Sequence, residues 1–340
     1  MSSKTGKLIL IAHITLFAFL AIQTTCVALP VDLGSAGPGY WTVLEAGSGT
    51  ITQSQSLGGK KKKATLSNTQ GGIMGNVGVA QNGHISDTAL QFNGDLYLGD
   101  NASAQFSGTY TNNRPVTGTV HLGMGAIVAS NSYSLTNVSG SLQPMLDHVR
   151  LDALGASAAA AGLSPTSALN QINLKRKTLT LAPGIYNLTR LQLKRATLTL
   201  SGSGSFVFNI SSVFALKSAQ VLLANGATEA NVLFNYTGTN NIALSGGKRN
   251  HSALHGIILA LNANVNLAQG LVVGEVISGR NILIGSGSMV RAVNSNVAPP
   301  FTNPDPERVP EGTSTFALSL IALGALAAFR SFLACKRATD

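Results

Sequence analysis

The chain has 340 residues and a formal net charge of +10, yet only 11% of its residues are charged. That is less than half of the roughly 25% usual for soluble domains, which excludes a charge-rich helical protein. The 44% apolar content excludes a disordered one. With 37 glycines and 6% aromatics, the composition points to a turn-rich β protein.

In chain order, residues 1–28 read as a secretory leader. Lys4 and Lys7 form a basic start, Leu8 to Ile22 an apolar helical run, and Cys26-Val27-Ala28 a small-residue cleavage site. Signal peptidase is expected to cut after Ala28. The run is short for a spanning helix, which needs about 20 residues.

The body, residues 29–298, is repetitive. Gly75-Asn76-Val77-Gly78-Val79 recurs as Gly94-Asp95-Leu96-Tyr97-Leu98, and again as Gly118-Thr119-Val120-His121-Leu122. Each unit is a glycine followed by alternating aliphatics, the pattern of a half-buried strand opened by a turn. Later in the chain His255-Gly256-Ile257-Ile258-Leu259-Ala260 precedes the similar Val273-Gly274-Glu275-Val276-Ile277-Ser278. Val265-Asn266-Leu267 likewise precedes Ile282-Leu283-Ile284. Short strands also read from Thr178 to Leu181, Ala196 to Leu200, Phe206 to Ile210 and Val232 to Phe234, separated by Gly/Ser/Asn clusters. Units of this size suit a β-solenoid, whose stacked coils bury one continuous apolar column. A β-sandwich has short strands too, but its strands need not repeat a glycine-led motif.

One segment departs from the pattern. Leu146, Val149 and Leu154 have helical spacing and run into Ala156-Ser157-Ala158-Ala159-Ala160-Ala161. Alanine is the best helix former, and Gly162 and Pro165 are stop signals. The expectation is a helix near 146–161, lying along the side of the solenoid.

Chemistry-bearing residues are thin. No Asp-x-Asp or Glu-x-x-His occurs, Asp95 and Glu275 sit in separate expected strands, and glycoside hydrolysis needs two carboxylates facing one bond. No enzyme activity, cofactor or metal is therefore expected, a polysaccharide-degrading β-helix enzyme being a remote alternative. His251 and His255 are four apart, a metal-binding spacing on a helix, but their segment reads as a loop. Six Asn-x-Ser/Thr sequons, at Asn101, Asn137, Asn187, Asn209, Asn235 and Asn250, are what a chain rich in these residues contains by chance. Basic residues do cluster: Lys60 to Lys63, Lys175-Arg176-Lys177, Lys194-Arg195 and Lys248-Arg249. Solvated turns account for such clusters. Their functional reading is a patch of Lys175, Arg176, Lys177, Lys194 and Arg195 on adjacent coils that binds an anionic polymer, since a local positive field recruits anions. A nucleic acid partner is not expected for an exported chain.

Residues 299–308 read as a linker and 309–340 as a C-terminal address. Val309-Pro310-Glu311-Gly312 opens it, an apolar membrane segment covers 316–333, and Lys336 and Arg337 close it. Basic residues after an apolar span hold that end in the cytoplasm. This tail resembles exosortase-processed C-terminal sorting signals of the PEP-C-terminal type, nearest the variant that opens Val-Pro-Asp. The resemblance implies an exosortase-like partner, a membrane stop before processing, and a final place at the cell surface or in the extracellular matrix. The two cysteines, Cys26 and Cys335, both fall in the two addresses.

Leu33-Gly34-Ser35-Ala36, Trp41-Thr42-Val43-Leu44 and Gly75 to Val79 resemble the opening of bacterial ice-binding-like secreted proteins. Leu181-Ala182-Pro183-Gly184-Ile185-Tyr186, Val232 to Asn235 and His255 to Ala260 are similar to their later coils, and to those of choice-of-anchor proteins. The resemblance implies a mainly β fold, a right-handed discontinuous β-helix with one flanking α-helix. The function expected from these readings is a non-catalytic exported surface or matrix protein, adhesive toward anionic exopolysaccharide. Ice binding is the alternative: Thr178-x-Thr180 and Thr197-x-Thr199 form a suggestive array, although later coils offer Asn264-x-Asn266 or Ile282-x-Ile284.

Overall fold

The structure, a computed structural model, describes residues 30–37, 39–54, 72–88, 92–107, 110, 113–130, 136–140, 142–246 and 251–292. The leader at 1–28, the linker and tail at 299–340, Lys60 to Lys63, Lys248, Arg249 and Asn250 lie outside the described residues. Within them no helix is long and apolar enough to cross a membrane.

Ten described strands precede the helix: β1 (Trp41–Glu45), β2 (Thr50–Ser54), β3 (Gly72–Met74), β4 (Asn76–Val79), β5 (His84–Thr88), β6 (Leu96–Leu98), β7 (Ser103–Ser107), β8 (Thr119–Leu122), β9 (Ile127–Ser130) and β10 (Thr136–Ser139). The helix α1 (Gln143–Ala161) follows. Then come β11 (Gln171–Lys175), β12 (Thr178–Leu181), β13 (Gly184–Lys194), β14 (Thr197–Ser201), β15 (Phe206–Lys217), β16 (Gln220–Ala224), β17 (Val232–Tyr236), β18 (Ile242–Ser245), β19 (Ser252–Ala260), β20 (Val265–Ala268), β21 (Gly270–Ser278), β22 (Ile282–Ile284) and β23 (Met289–Arg291).

Every strand pairing is parallel, and the pairings fall into three ladders, one per face of a solenoid. The first face runs from the start of β13 through the start of β15, β17 and the ends of β19 and β21, then β1, β4, β6, β8 and β10. The second runs through β11, the ends of β13 and β15, then β18, β20, β22, β2, β5, β7 and β9. The third takes β12, β14, β16, the starts of β19 and β21, then β23 and β3. The glycine-led repeats stack in register as their spacing implies, Val77 on Leu96 on Val120 and Gly256 on Gly274.

The ladders are continuous but the chain is not. It enters at β1, midway along the first face, and winds out to β9 and β10. The helix α1 carries it back along the first face to the opposite end. From β11 it winds inward until β21 closes on β1, β22 on β2 and β23 on β3. The solenoid is therefore discontinuous, as expected.

One inward column explains the stability of the stack. Tyr186, Phe208, Phe234, Ile258, Val276, Val43, Val77, Leu96 and Val120 follow one another in register, all buried. The aromatic rings stack with centroids 5.0 Å apart at each step. Each buried side chain of this size contributes about 1.5–3 kcal/mol.

The helix begins three residues before the expected position, at Gln143, because Pro144 in its first turn is pre-set for helix. Its Leu146, Val149, Ala153, Ala156 and Ala160 are buried, and the three small alanines let it approach the sheet closely. An amide ladder fixes it there. Asn187, Asn209 and Asn235 are register partners. Asn209 Nδ2 donates to Asn187 Oδ1 and Asn235 Nδ2 to Asn209 Oδ1, both at 2.9 Å. The same amides donate to helix carbonyls, Asn209 to Ala160 at 2.6 Å and Asn235 to Ser157 at 3.0 Å. Three of the six sequons are thus structural asparagines beneath a helix.

Two smaller expectations are corrected. Asp95 precedes β6 rather than lying in a strand; its carboxylate accepts from the Thr119 backbone N–H at 2.8 Å, which holds a corner. His255 lies in β19, not in a loop, because its backbone pairs with Val273.

Replacing Ile258 or Val276 by Asp is expected to abolish cooperative folding, since an unpaired charge in the column costs several kcal/mol. Asn209→Ala should cost about 1–3 kcal/mol by stranding its buried partners. Gly274→Ala should also unfold the coil, because φ there is +139° and a Cβ would collide with the Gly256 carbonyl. Thermal melts followed by circular dichroism check all four.

Candidate functional site

Three faces could carry function, and their outward side chains differ. The first is closed: Leu44, Val207, Leu233, Ile257 and Ile277, on its outward side, are buried, and α1 lies against β15 and β17. A 3-10 turn, Gly34–Ala36, joins the cover, with Ser35 Oγ and N–H both donating to Asp152 at 2.6 and 2.7 Å.

The third face is irregular. Thr178 pairs with Thr197 and Thr180 with Thr199, as the sequence suggested, but the next coil offers Gln220 and Leu222. Beyond it, His255, Val273, Arg291 and Met74 share one column. The threonine array is two coils deep and ends against bulky or charged neighbours. His255 is held by Glu229 at 3.0 Å, so it forms no pair with His251. Among the described residues no three metal-ligating side chains cluster.

The second face is regular. Its middle column reads Ala243, Asn266, Leu283, Thr52, Ser86 and Gln105. A flanking column reads Asn241, Asn264, Asn281, Thr50, His84 and Ser103; the other carries Ser245, Ala268, Ser54, Thr88 and Ser107. The residues between, such as Ile51, Ile85, Val265 and Ile282, point inward and are buried. Ile282 and Ile284 thus belong to the core, while Asn264 and Asn266 face out. From β18 to β7 no described outward side chain carries a fixed charge. Coils repeat about every 4.8 Å, and alternate residues about every 6.6 Å.

Hydrogen bonds hold these side chains in place. Asn264 Nδ2 donates to Asn241 Oδ1 at 2.8 Å, the Asn281 N–H to Asn264 Oδ1 at 3.1 Å and the Thr50 N–H to Asn281 Oδ1 at 2.9 Å. His84 Nδ1 lies 2.8 Å from Ser103 Oγ. At the adjoining corner a groove of about 940 Å³ is lined by Arg150, Arg280, Asp147, Asn82 and Asn262. Asn264 and Asn281 of the asparagine column form part of its wall.

The five basic residues singled out from the sequence do come together. Lys175 pairs with Lys194, and the Arg176 N–H donates to the Lys194 carbonyl at 3.0 Å. Arg176 and Arg195 occupy equivalent left-handed corners, φ +54° and +50°. Lys177 follows the corner, its carbonyl accepting from Thr197. Lys217, in register with Lys194, extends the column and was missed because its interval is longer. All of them are exposed at the β11 end, beyond the neutral stretch of the second face. The processing residues Ala28, Val309, Pro310, Glu311 and Gly312 lie outside the described residues.

The Ice-binding-like family model matches residues 62–288. The chain belongs to the ice-binding-like family. Solved structures of similar proteins include an ice-binding protein with antifreeze activity from an Arctic yeast, 16% identical, with a TM-score of 0.46, covering 83% of this chain and 100% of that one. An ice-binding protein from the Antarctic ascomycete Antarctomyces psychrotrophicus is 18% identical, with a TM-score of 0.41, covering 78% and 99%. An ice-binding domain from Shewanella frigidimarina is 16% identical, with a TM-score of 0.42, covering 79% and 99%. No curated protein matches. Membership in the ice-binding-like family overturns the reading of a protein adhesive toward anionic exopolysaccharide and favours its alternative, ice binding. The basic clusters mark one end of the solenoid, whereas the larger neutral face shows no motif in one dimension.

Two acids are buried without full compensation. Glu275, beside Val276 on β21, has both carboxyl oxygens unpartnered, and burial pushes its pKa well above the ordinary carboxylate value. Glu45 is also raised by burial, against the pull of the Gly49 and Gly47 N–H groups on Oε1 at 2.9 and 2.8 Å. A raised acid stays neutral in the folded chain while it ionises in the unfolded one. Its effect on stability is therefore absent below the ordinary carboxyl pKa, and stability falls as pH rises above it. Glu275→Gln should raise the melting temperature at pH 8 and do so progressively less toward pH 4, the gap growing by up to about 1.4 kcal/mol per pH unit. Calorimetry across that range checks it.

Proposed function

We propose that this protein binds ice through its second face. The carrying observation is the uncharged, register-locked array from β18 to β7. Family membership supports the same reading. Adsorption to ice requires many weak contacts made at once by groups that are already ordered, and ordering them beforehand removes an entropic cost. The asparagine column and the short Ser, Thr and Ala side chains meet that requirement: they have few rotamers to lose. On this face charged groups, which hold their hydration water strongly, are kept to the β11 end.

We also take the coils to wind right-handed, the hand preferred by parallel crossovers. Export is part of the proposal, with Ala28 the last leader residue and Val309-Pro310-Glu311-Gly312 marking where the tail is processed by an exosortase-like enzyme. Mass spectrometry of the protein from its native host should find neither the leader nor Cys335-Lys336-Arg337.

Thermal hysteresis and partition into growing ice test the function. Thr52→Tyr and Ser86→Tyr should each reduce both severalfold, with stability changed by less than about 0.5 kcal/mol, as expected of surface sites. Thr199→Tyr, on the third face, should leave both unchanged. A wild-type protein that shows neither hysteresis nor partition would overturn the reading.

A further inference from the structure

His84 occupies an unusual position. Among the described outward side chains from β18 to β7, it is the one imidazole, the side-chain type that serves proteins as a proton switch. It sits on β5 in the flanking column, between Thr50 of β2 and Ser103 of β7. It is half-buried, and its Nδ1 lies 2.8 Å from Ser103 Oγ. Its backbone N–H donates to the Gly49 carbonyl at 3.0 Å, so the residue cannot shift along the face.

Its direct neighbours on the face carry no charge. The facing side chains on β2 and β7 are neutral. Asp87, on the same strand, lies on the opposite face of the sheet, buried, three residues away. Glu45 is likewise turned inward, held by the Gly47 and Gly49 N–H groups. The groove at the adjoining corner carries two cations, Arg150 and Arg280, and one carboxylate, Asp147.

We propose that His84 is a proton switch on the ice-contacting face: the neutral imidazole permits adsorption and the imidazolium blocks it. The inference rests on the second face being the ice-binding surface. A cation there holds its own hydration shell, and removing that shell for contact with an ordered lattice is costly. The neutral ring, by contrast, has one donor and one acceptor, the same mixed capacity as the Asn, Ser and Thr side chains around it.

The test is ice partition and thermal hysteresis of the full chain between pH 5 and pH 8, with melting curves at each pH to confirm folding. Ice partition of the wild type should fall severalfold over that range along a one-proton curve. His84→Gln should bring the ratio between the two pH values to about one, whatever its absolute level. His84→Lys should be low at both. His255→Gln, on the third face, should keep the wild-type curve. A wild type that partitions equally at both pH values overturns the switch but leaves ice binding standing, and so does a His84→Gln variant that keeps the fall. No partition at any pH removes the ice-binding reading itself.

Discussion

Strand β1 is hydrogen-bonded along both edges, to β21 on one side and β4 on the other, and the rest of the molecule depends on that double pairing. It joins the end of the second winding to the start of the first. Val43 fills the inward column between Val276 and Val77, so the core passes from one half to the other without a gap. Trp41 locks the outer layer in the same place, meeting Tyr40 at 4.6 Å and Tyr97 at 5.3 Å edge to face. At the seam β21, β22 and β23 of one half lie on β1, β2 and β3 of the other, one pair per face.

The helix follows from this path. A chain that starts in the middle and winds to one end must return to the other, and α1 is that return. Its 19 residues span about 28 Å at 1.5 Å per residue. It lies on the first face because aliphatic residues and the amide ladder await it there. By covering that face it leaves two open, and only one of these is both neutral and regular. Function is thus distributed by subtraction: one face for the return helix, one of mixed character, one for contact.

Much of this was legible in the sequence. The glycine-led repeats gave the coils, since a corner such as Gly274 can be followed only by a strand stacked on its predecessor. The alanine run gave the helix, and the intervals Thr178 to Thr197 and Val265 to Ile282 gave registers that hold. What was not legible is the second face. Its outward residues are mostly Asn, Ser, Thr and Ala, with Leu283, His84 and Gln105 among them, at intervals that vary from coil to coil, with β2 and β22 adjacent in space but far apart in sequence. A column that draws Thr52 from one half and Leu283 from the other has no trace in one dimension. The lysine and arginine pairs are conspicuous for the opposite reason, being local in sequence. Glu275 also escaped, because an acid at an alternating strand position reads as exposed until both sides of the sheet are known to be covered.

The seam has a consequence for how the molecule comes into being. The Thr50 N–H and its acceptor on Asn281 are 231 residues apart, so the N-terminal coils leave the ribosome long before their partners exist. Until then β1 presents a bare strand edge, the kind of surface that pairs readily with another chain. Closure must also await the most distant contacts, which places this fold among slow folders. Crowded nascent chains should therefore exchange halves, β21 of one molecule closing on β1 of another, and domain-swapped dimers are the by-product to look for when the protein is made quickly.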